Sequence, residues 1–415
     1  MMRIAFYLHH SHLKAGGIFT YSIGVLKLLI SSDKIDTIFL IYSPETENLV
    51  RDILNNPKII PVKVNPSKFT VKFRLVISYF LHDNYLLLNN YLKTKNKLKL
   101  LLRLAAILNP YSGRLKKLKA DIFHVPLQYS PVYAVNIPVI TTQHDFQELY
   151  FPEFFTPGER IHRAINQKKA IDYSDSIIVS FKHVKDDLKK FYRIEEEKIF
   201  ICPPPFSESW FVSEKETNLN ELKYKYQLFD DFILYPAATW QHKNHLMLIK
   251  ALLKIRNESK KEIKLICTGH MTDFYKTIEV EISKVGLQNN IRFLGIIPEA
   301  DLAGLYKLAR LVVIPTLYEA GSGPLFEAMR YNCPVIVSDV TSLPDSIGNS
   351  EFIFNPKKLE QLSQLILKGL FDEDFRKRNV ENSKKRIQEF RNFDYVLPFI
   401  NAYKNCLKLK TRKKI

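Results

Sequence analysis

This chain is short of the residues that staple or ligate. Its four cysteines, Cys202, Cys267, Cys333 and Cys406, lie more than sixty residues apart, with no CxxC pair and no Cys/His cluster. A disulfide framework and a structural zinc site are both disfavoured, and a reducing compartment is the simpler reading. Long apolar runs are missing too. No stretch approaches the roughly 18 uncharged apolar residues that span a bilayer. The opening MMRIAFYLHH holds an apolar run too short for a secretory signal and reads as a first strand. The protein is expected to be cytoplasmic, soluble or peripheral on the inner face of the plasma membrane. Acidic residues are in deficit, 43 against 61 lysines and arginines, for a formal charge of +18. Such a balance suits an anionic partner: nucleic acid, phosphorylated small molecules or an acidic membrane surface.

What is present is ordinary globular composition, 46% apolar and 25% charged over 415 residues, enough for two or three domains. Short β-rich runs alternate with longer amphipathic segments. The first half offers strands at Arg3–Leu8, Thr37–Tyr42, Asp121–Val125, Pro138–Thr142, Ser176–Phe181 and Lys198–Cys202. The second offers Phe232–Pro236, Ile263–Thr268, Asn290–Gly295, Leu311–Thr316, Val335–Ser338 and Glu351–Phe354. Most are continuous apolar runs, as parallel strands covered on both faces should be. Between them lie helices such as Phe19–Ile30, whose Phe19, Ile23, Leu26 and Ile30 share a face. Two such series imply an α/β protein of two doubly wound domains. The break falls at Pro203-Pro204-Pro205, read either as a stiff linker or as a surface loop within one larger domain.

One region departs from the alternation. From Pro66 to Lys119 there are twelve lysines and arginines and one acid, Asp83, among the apolar blocks Leu75–Leu81, Leu86–Leu88 and Leu98–Leu108. Apolar faces interleaved with lysines suit helices lying on an anionic membrane surface. They equally suit a helical subdomain that packs its leucines inward and solvates its lysines. A second basic cluster closes the chain, Lys404 to Lys414.

The most informative stretch is Pro315-Thr-Leu-Tyr-Glu319-Ala-Gly321-Ser322-Gly323-Pro324-Leu-Phe-Glu327-Ala-Met. A buried strand ends, a loop with two glycines follows, and Pro324 suits a first helical turn. Gly321, Ser322 and Gly323 would bring backbone N–H groups to a helix N-terminus, a ready anion site. Two carboxylates flank it, Glu319 and Glu327. Beside a phosphate they would be repulsive, so their natural partners are sugar or ribose hydroxyls. Alone, a glycine-rich strand-to-helix turn is more often structural. The carboxylate pair eight apart, followed by Pro334-Val-Ile-Val-Ser-Asp339, sharpens it.

The stretch resembles the Glu-x7-Glu motif of retaining GT-B glycosyltransferases, the family-four or group 1 type. The resemblance extends further. Gly16-Gly17 after the first strand is similar to the family's N-terminal glycine loop near acceptor and donor phosphates. Thr141-Thr-Gln-His144-Asp145 resembles its strand-end His-Asp. Trp240-Gln-His242-Lys243-Asn244-His resembles the segment whose lysine reaches the donor diphosphate. Arg292-Phe-Leu-Gly295 with Ile296 resembles the strand whose main chain pairs the nucleotide base, and Phe393-Asp-Tyr395 opens a last helix that in this fold crosses back onto the N-domain.

The resemblance implies a GT-B fold, two Rossmann-like domains facing across a cleft. Residues 1–205 would bind acceptor (with 66–119 as an insert), 206–390 would bind a sugar nucleotide, and 391–415 would form the returning helix. It implies His144, Lys243 and Glu319 as catalytic residues. Gly16, Gly17, His242, Ile296, Gly321, Ser322, Gly323 and Glu327 would contact the donor. No cofactor and no metal are expected; the donor would be a GDP- or UDP-sugar and the acceptor a glycan or lipid-linked glycan of surface polysaccharide synthesis. The weakly favoured sugar is mannose. Partners expected are the donor, the acceptor and an anionic membrane surface, with no nucleic acid.

One departure stands out. Many relatives place an arginine about five residues before the lysine, where this chain has Ala237-Ala238-Thr239. His242 is the candidate to stand in for that cation. The gap keeps open a sugar-nucleotide-binding protein without transfer, and the charge keeps open a basic nucleic-acid-binding protein, although no recognition motif of that kind is present. His9, His10 and His12 lack carboxylates at ligand spacing. Asp372-Glu-Asp374 is formally an Asp-x-Asp, read as a helix cap.

Overall fold

The computed structural model of the chain describes residues 1–8, 17–92, 99–133, 135–206 and 218–413. His9, His10, His12, Gly16 and the lysines at 93, 95 and 97 lie outside them. The chain forms two compact units, Met1–Ser207 with Asp394–Ile415, and Glu208–Phe393.

The first unit is built on a parallel sheet of order β3-β2-β1-β4-β5-β6-β7. Its strands are β1 (Met2–Tyr7), β2 (Ile35–Tyr42), β3 (Ile59–Lys63), β4 (Ile122–Val125), β5 (Val139–Gln143), β6 (Ser176–Val179) and β7 (Ile199–Ile201). Ile4, Phe6, Ile122, Phe123, Ile140 and Ile178 are fully buried, because a sheet covered on both faces leaves no solvent side for polar residues. The sequence reading lacks β3. Its run, Ile-Ile-Pro-Val-Lys, is broken by Pro61, and a proline in a strand argues against pairing on both sides. Here β3 is the sheet edge, Pro61 lies opposite Leu40, and Ile60 is exposed.

The 66–119 region folds into helices Phe69–Leu92, Lys99–Leu108 and Pro110–Leu118. Val71 and Leu75 pack against the buried cluster that includes Tyr111, Leu115 and Val125. Arg74 donates from Nε to the Leu108 carbonyl (3.0 Å), and Ser78 Oγ donates to the Ala105 carbonyl (2.7 Å), which ties the first two helices together. Asn109 starts the third, its side chain accepting from the Tyr111 and Ser112 amides.

The closing helix, Val396–Lys413, also belongs to the first unit. Phe399 and Tyr403 are fully buried on the sheet, and the Tyr403 hydroxyl lies 2.8 Å from His124 Nδ1 on β4. Burial pushes the His124 imidazole down to about 3, so it is neutral in the fold.

The second unit carries a parallel sheet of order β10-β9-β8-β11-β12-β13. The strands are β8 (Ile233–Pro236), β9 (Leu265–Thr268), β10 (Ile291–Phe293), β11 (Leu311–Ile314), β12 (Val335–Ser338) and β13 (Ile353–Phe354). From β8 the chain winds toward β10, and from β11 it winds toward β13. The loops that leave β8 and β11 therefore diverge at their carboxyl ends, which is where open α/β sheets bind ligands. In the first unit the same point lies between β1 and β4.

Candidate functional site

Two loops meet at the switch point of the second sheet. After β8 the chain makes one tight turn at Gln241–Lys243 and enters helix His245–Ser259 through Asn244, which adopts φ +60°. Asparagine tolerates this left-handed backbone better than most residues. Its side-chain amide donates to the carbonyls of Pro315 (2.9 Å) and Pro356 (3.3 Å). The His242 carbonyl accepts from the Leu317 amide at 2.7 Å and from Thr316 Oγ1 at 3.0 Å. Tyr235, fully buried on β8, donates its hydroxyl to the Lys243 carbonyl at 2.7 Å. The backbone of Lys243 is thus clamped from both sides.

That clamp aims the side chain. Lys243 Nζ donates to Glu319 Oε2 at 2.6 Å, and the two side chains are only 18% and 10% exposed. Two of the residues implied by the motif, 76 positions apart in sequence, form a buried ion pair. Glu319 is held in turn by its own backbone. Thr341 Oγ1 donates to its carbonyl at 2.6 Å and lies 3.1 Å from its amide, and Ser342 Oγ donates to the same carbonyl at 3.2 Å. Thr341 sits at φ +50°. For a β-branched residue this costs about 1–3 kcal/mol and persists only where surrounding contacts enforce it.

Past Glu319, Ser322 caps helix Gly323–Arg330, its side chain accepting from the Leu325 amide. Gly321 and Gly323 are exposed, and open space lies where a Cβ on Gly323 would stand. First-turn amides have no acceptor in a preceding helical turn; Ser322 takes that of Leu325, and an opening of this kind suits an anion. One turn on, Glu327 accepts from the buried Tyr306 hydroxyl at 2.7 Å. Burial raises its carboxyl above the ordinary value, while the Tyr306 hydrogen bond works the other way.

With no donor bound, the fold leaves His242 without a charge. Burial, with Lys243 and His245 alongside, pushes its imidazole down to about 3. A neutral ring can donate or accept a hydrogen bond but carries no charge for a diphosphate. Among the described residues, no group of His, Cys, Asp and Glu is arranged to hold a metal ion. Asp372 accepts from the Phe375 amide at 2.9 Å and caps helix Glu373–Asn392, so the Asp-x-Asp is a cap.

The remaining implied residues lie on other elements. Ile296 follows the edge strand β10 and is 78% exposed. The glycine directly before it is tied in through backbone, the Gly269 amide donating to the Gly295 carbonyl at 2.8 Å. Gly269 adopts φ +115°, and a Cβ there would stand 2.8 Å from Ala237 C and Ala238 N. The loops after β8 and β9 touch main chain to main chain, which only glycine permits.

His144 and Gly17 belong to the first unit. Gly17 opens helix Gly17–Ser31, whose Tyr21 ring meets the His144 ring edge-on at 4.9 Å. His144 Nε2 lies 3.1 Å from the Pro126 carbonyl. Burial lowers its pKa, and the Pro126 carbonyl and Asp145 oppose that. Arg163 ion-pairs Asp145 (3.2 Å) and the buried Glu148 (2.6 Å) behind it.

Two family models match the chain, "Glycosyltransferase Family 4" over residues 86–209 and "Glycosyl transferases group 1" over 223–386. The second spans Lys243, Glu319 and Glu327 together. The chain belongs to the group 1 glycosyltransferases of GT-B fold.

This glycosyltransferase is 26% identical over 309 residues to O-antigen chain mannosyltransferase B of Escherichia coli, 74% of this chain and 80% of that one. It is 24% identical over 262 residues to O-antigen chain mannosyltransferase RfbU of Salmonella typhimurium, covering 62% of this chain and 66% of that relative. A crystal structure of a glycosyltransferase from Rickettsia africae superimposes with a TM-score of 0.67 at 18% identity, over 98% of this chain and 99% of that one.

Several residues that shape the glycosyltransferase site escaped the sequence reading. Thr341 and Ser342 follow directly on Asp339-Val340, but nothing local ties a threonine there to a glutamate 22 positions earlier. Tyr306 is one of 21 tyrosines and is identifiable only by the carboxylate it meets. Gly269 carried a readable signal, a glycine directly after a buried strand, which marks a close backbone approach.

Proposed function

We propose that this glycosyltransferase moves a hexose, mannose before others, from a nucleotide-diphosphate sugar to a glycan or lipid-linked glycan in surface polysaccharide synthesis. It would do so with retention of anomeric configuration and without a metal ion. The observation that carries the reading is the buried Lys243–Glu319 pair beside the open first turn of helix Gly323–Arg330, at the switch point of the second sheet. An ammonium and free amides favour a diphosphate, and flanking carboxylates favour hydroxyls.

In this reading the donor diphosphate displaces Glu319 from Lys243 and lies over the amides of 321–323. Glu319, released, accepts from hydroxyls of the transferred sugar, and Glu327 accepts from the ribose. His242 donates or accepts as a neutral ring, the main chain at Ile296 pairs the base, and Gly16 and Gly17 would contact phosphate or acceptor, as the family resemblance implies. His144 hydrogen-bonds sugar or acceptor hydroxyls. Negative charge gathering on the departing diphosphate is stabilised by Lys243 and the amides. The same diphosphate takes the proton of the incoming hydroxyl on the face it leaves. Mannose and GDP are favoured because the relatives described above are named as O-antigen mannosyltransferases. A lipid-linked acceptor would place the enzyme at the inner face of the plasma membrane.

The test is a panel of sugar nucleotides screened by thermal shift, followed by product analysis. A specific donor at a hundred times its Kd should stabilise the protein by about 2.7 kcal/mol. GDP-mannose should stand out from UDP-sugars, NMR of the product should show the donor's anomeric configuration, and chelation should leave turnover intact. No stabilisation by any sugar nucleotide, an inverted product, or loss of turnover with a chelator would each remove the corresponding part.

A further inference from the structure

The Phe69–Leu92 helix has one apolar face more than its fold uses. Toward the core it presents Val71 and Leu75, which pack against the first unit, and Ser78, which bonds the neighbouring helix. On the opposite side stand Phe69, Phe73, Val76 and Phe80, exposed by 79%, 56%, 59% and 65%. Their spacing of four, three and four residues places them within about 60° of arc on a helix turning 100° per residue. The Phe69 and Phe73 rings stack at 6.2 Å. A helix apolar on two opposed faces is expected to be covered on both. The neighbouring helix Lys99–Leu108 repeats the pattern with Leu100, Leu104 and Ile107, exposed by 64%, 40% and 61%.

Charge identifies the cover. Lys68 and Lys72 are exposed beside the stripe, within the segment of twelve basic residues and one acid. That acid, Asp83, three residues beyond Phe80, is neutralised by an ion pair with Lys169. A second copy of the chain would bring like charge against like, so self-association through this face is opposed. An anionic bilayer complements it, with phenylalanines at the headgroup–acyl boundary and lysines at the phosphates. No described helix is long and apolar enough to cross a membrane.

We infer that the Phe69–Phe73–Val76–Phe80 face of this helix is the surface by which the enzyme seats itself on an anionic membrane. The inference deepens the proposed action at a membrane and names the residues that make contact. It also centres the contact on an aromatic stripe, Phe69, Phe73 and Phe80, rather than on the leucines of the segment.

The test uses the full chain with vesicles of phosphatidylcholine alone and with about a third phosphatidylglycerol. The protein should co-sediment with the anionic vesicles only. Phe73→Ser with Phe80→Ser should cut the partition coefficient roughly tenfold or more, as expected for two aromatic side chains withdrawn from the interface. The same variant should keep the thermal shift produced by GDP or UDP, which shows the fold and the donor site intact. Phe73→Trp avoids any loss of apolar bulk. Measured against the unsubstituted protein, its added fluorescence should be quenched by brominated acyl chains. Partitioning unchanged by the double substitution, or an introduced indole that brominated lipid leaves unquenched, would overturn the inference. So would a dimer that the double substitution converts to monomer while vesicle binding persists, since the face would then join two copies. Failure of every sugar nucleotide in the donor screen would leave these vesicle readouts standing, so the two readings fail separately.

Discussion

The pair formed by Lys243 and Glu319 makes a prediction of opposite signs. With no donor bound the two side chains neutralise each other at 2.6 Å in a mostly buried setting. Removing one member of such a pair costs about 3–5 kcal/mol, because the other charge stays behind without its partner. Lys243→Met should therefore destabilise the Glu208–Phe393 unit. At about 2–4 °C per kcal/mol for a unit of this size, a loss of 3 kcal/mol lowers its melting temperature by about 6–12 °C. Lys243→Met with Glu319→Gln should recover part of that loss, leaving a coupling energy of about 1–3 kcal/mol. Nucleotide binding then separates the two residues. On the proposed reading, Lys243→Met removes the cation that would meet the diphosphate and should weaken GDP or UDP binding by roughly one to two orders of magnitude, 1.4 kcal/mol being tenfold. Glu319→Gln removes the group that competes for Lys243 and a negative charge beside the phosphates. It should tighten binding of the sugar-free nucleoside diphosphate while lowering transfer of the sugar. Calorimetric titration of both variants, with scanning calorimetry of the free proteins, reads every term. If Glu319→Gln weakens GDP and UDP as much as Lys243→Met does, the exchange of partners is refuted and the pair is structural.

Further outcomes follow from the same geometry. Tyr306→Phe removes the hydrogen bond that favours ionised Glu327, so its already raised carboxyl should rise further. The acid limb of the donor KM should then move to higher pH, and an unmoved limb would detach Glu327 from donor binding. Because a raised carboxyl favours the fold in its protonated form, that variant should also lose stability as pH rises toward neutrality. Thr341→Ala should cost about 1–2 kcal/mol and raise the donor KM, since the Glu319 backbone loses its holder, whereas Thr341→Ser should stay near the parent; equal effects from both would mean the hydroxyl is idle. Gly269→Ala meets backbone at 2.8 Å at a left-handed position and should destabilise the second unit by several degrees in a thermal melt. His124, His242 and His245 are each held near 3 by burial against about 6.5 in the unfolded chain. The unfolded state takes up protons first, so stability should fall as pH drops from about 6.5 toward 3, by at most about 1.4 kcal/mol per pH unit per histidine.

Much of the architecture was legible in the one-dimensional pattern. Apolar runs such as Leu311–Ile314 and Val335–Ser338 read as strands covered on both faces and are so in the fold, and their alternation with amphipathic segments points to parallel doubly wound sheets. The exception, β3, hid behind Pro61, because whether a proline is tolerated depends on whether the strand has a neighbour on that side. The basic segment shows a similar limit. Its composition announced helices and an anionic partner, yet periodicity alone did not say which of two apolar faces the core would take.

The chemistry divides in the same way. Residue order determined the Glu319-to-Glu327 spacing, the glycines between them and the lysine after β8, since each is a local feature of a strand running into a helix. Only the fold decided that Lys243 and Glu319 are ion partners, that Thr341 holds Glu319 from a strained backbone, and that Tyr306 reaches Glu327. It also decided that His242 is neutral, because an imidazole's charge depends on the solvent it loses and the ammonium it meets, and neither is written in its neighbours along the chain.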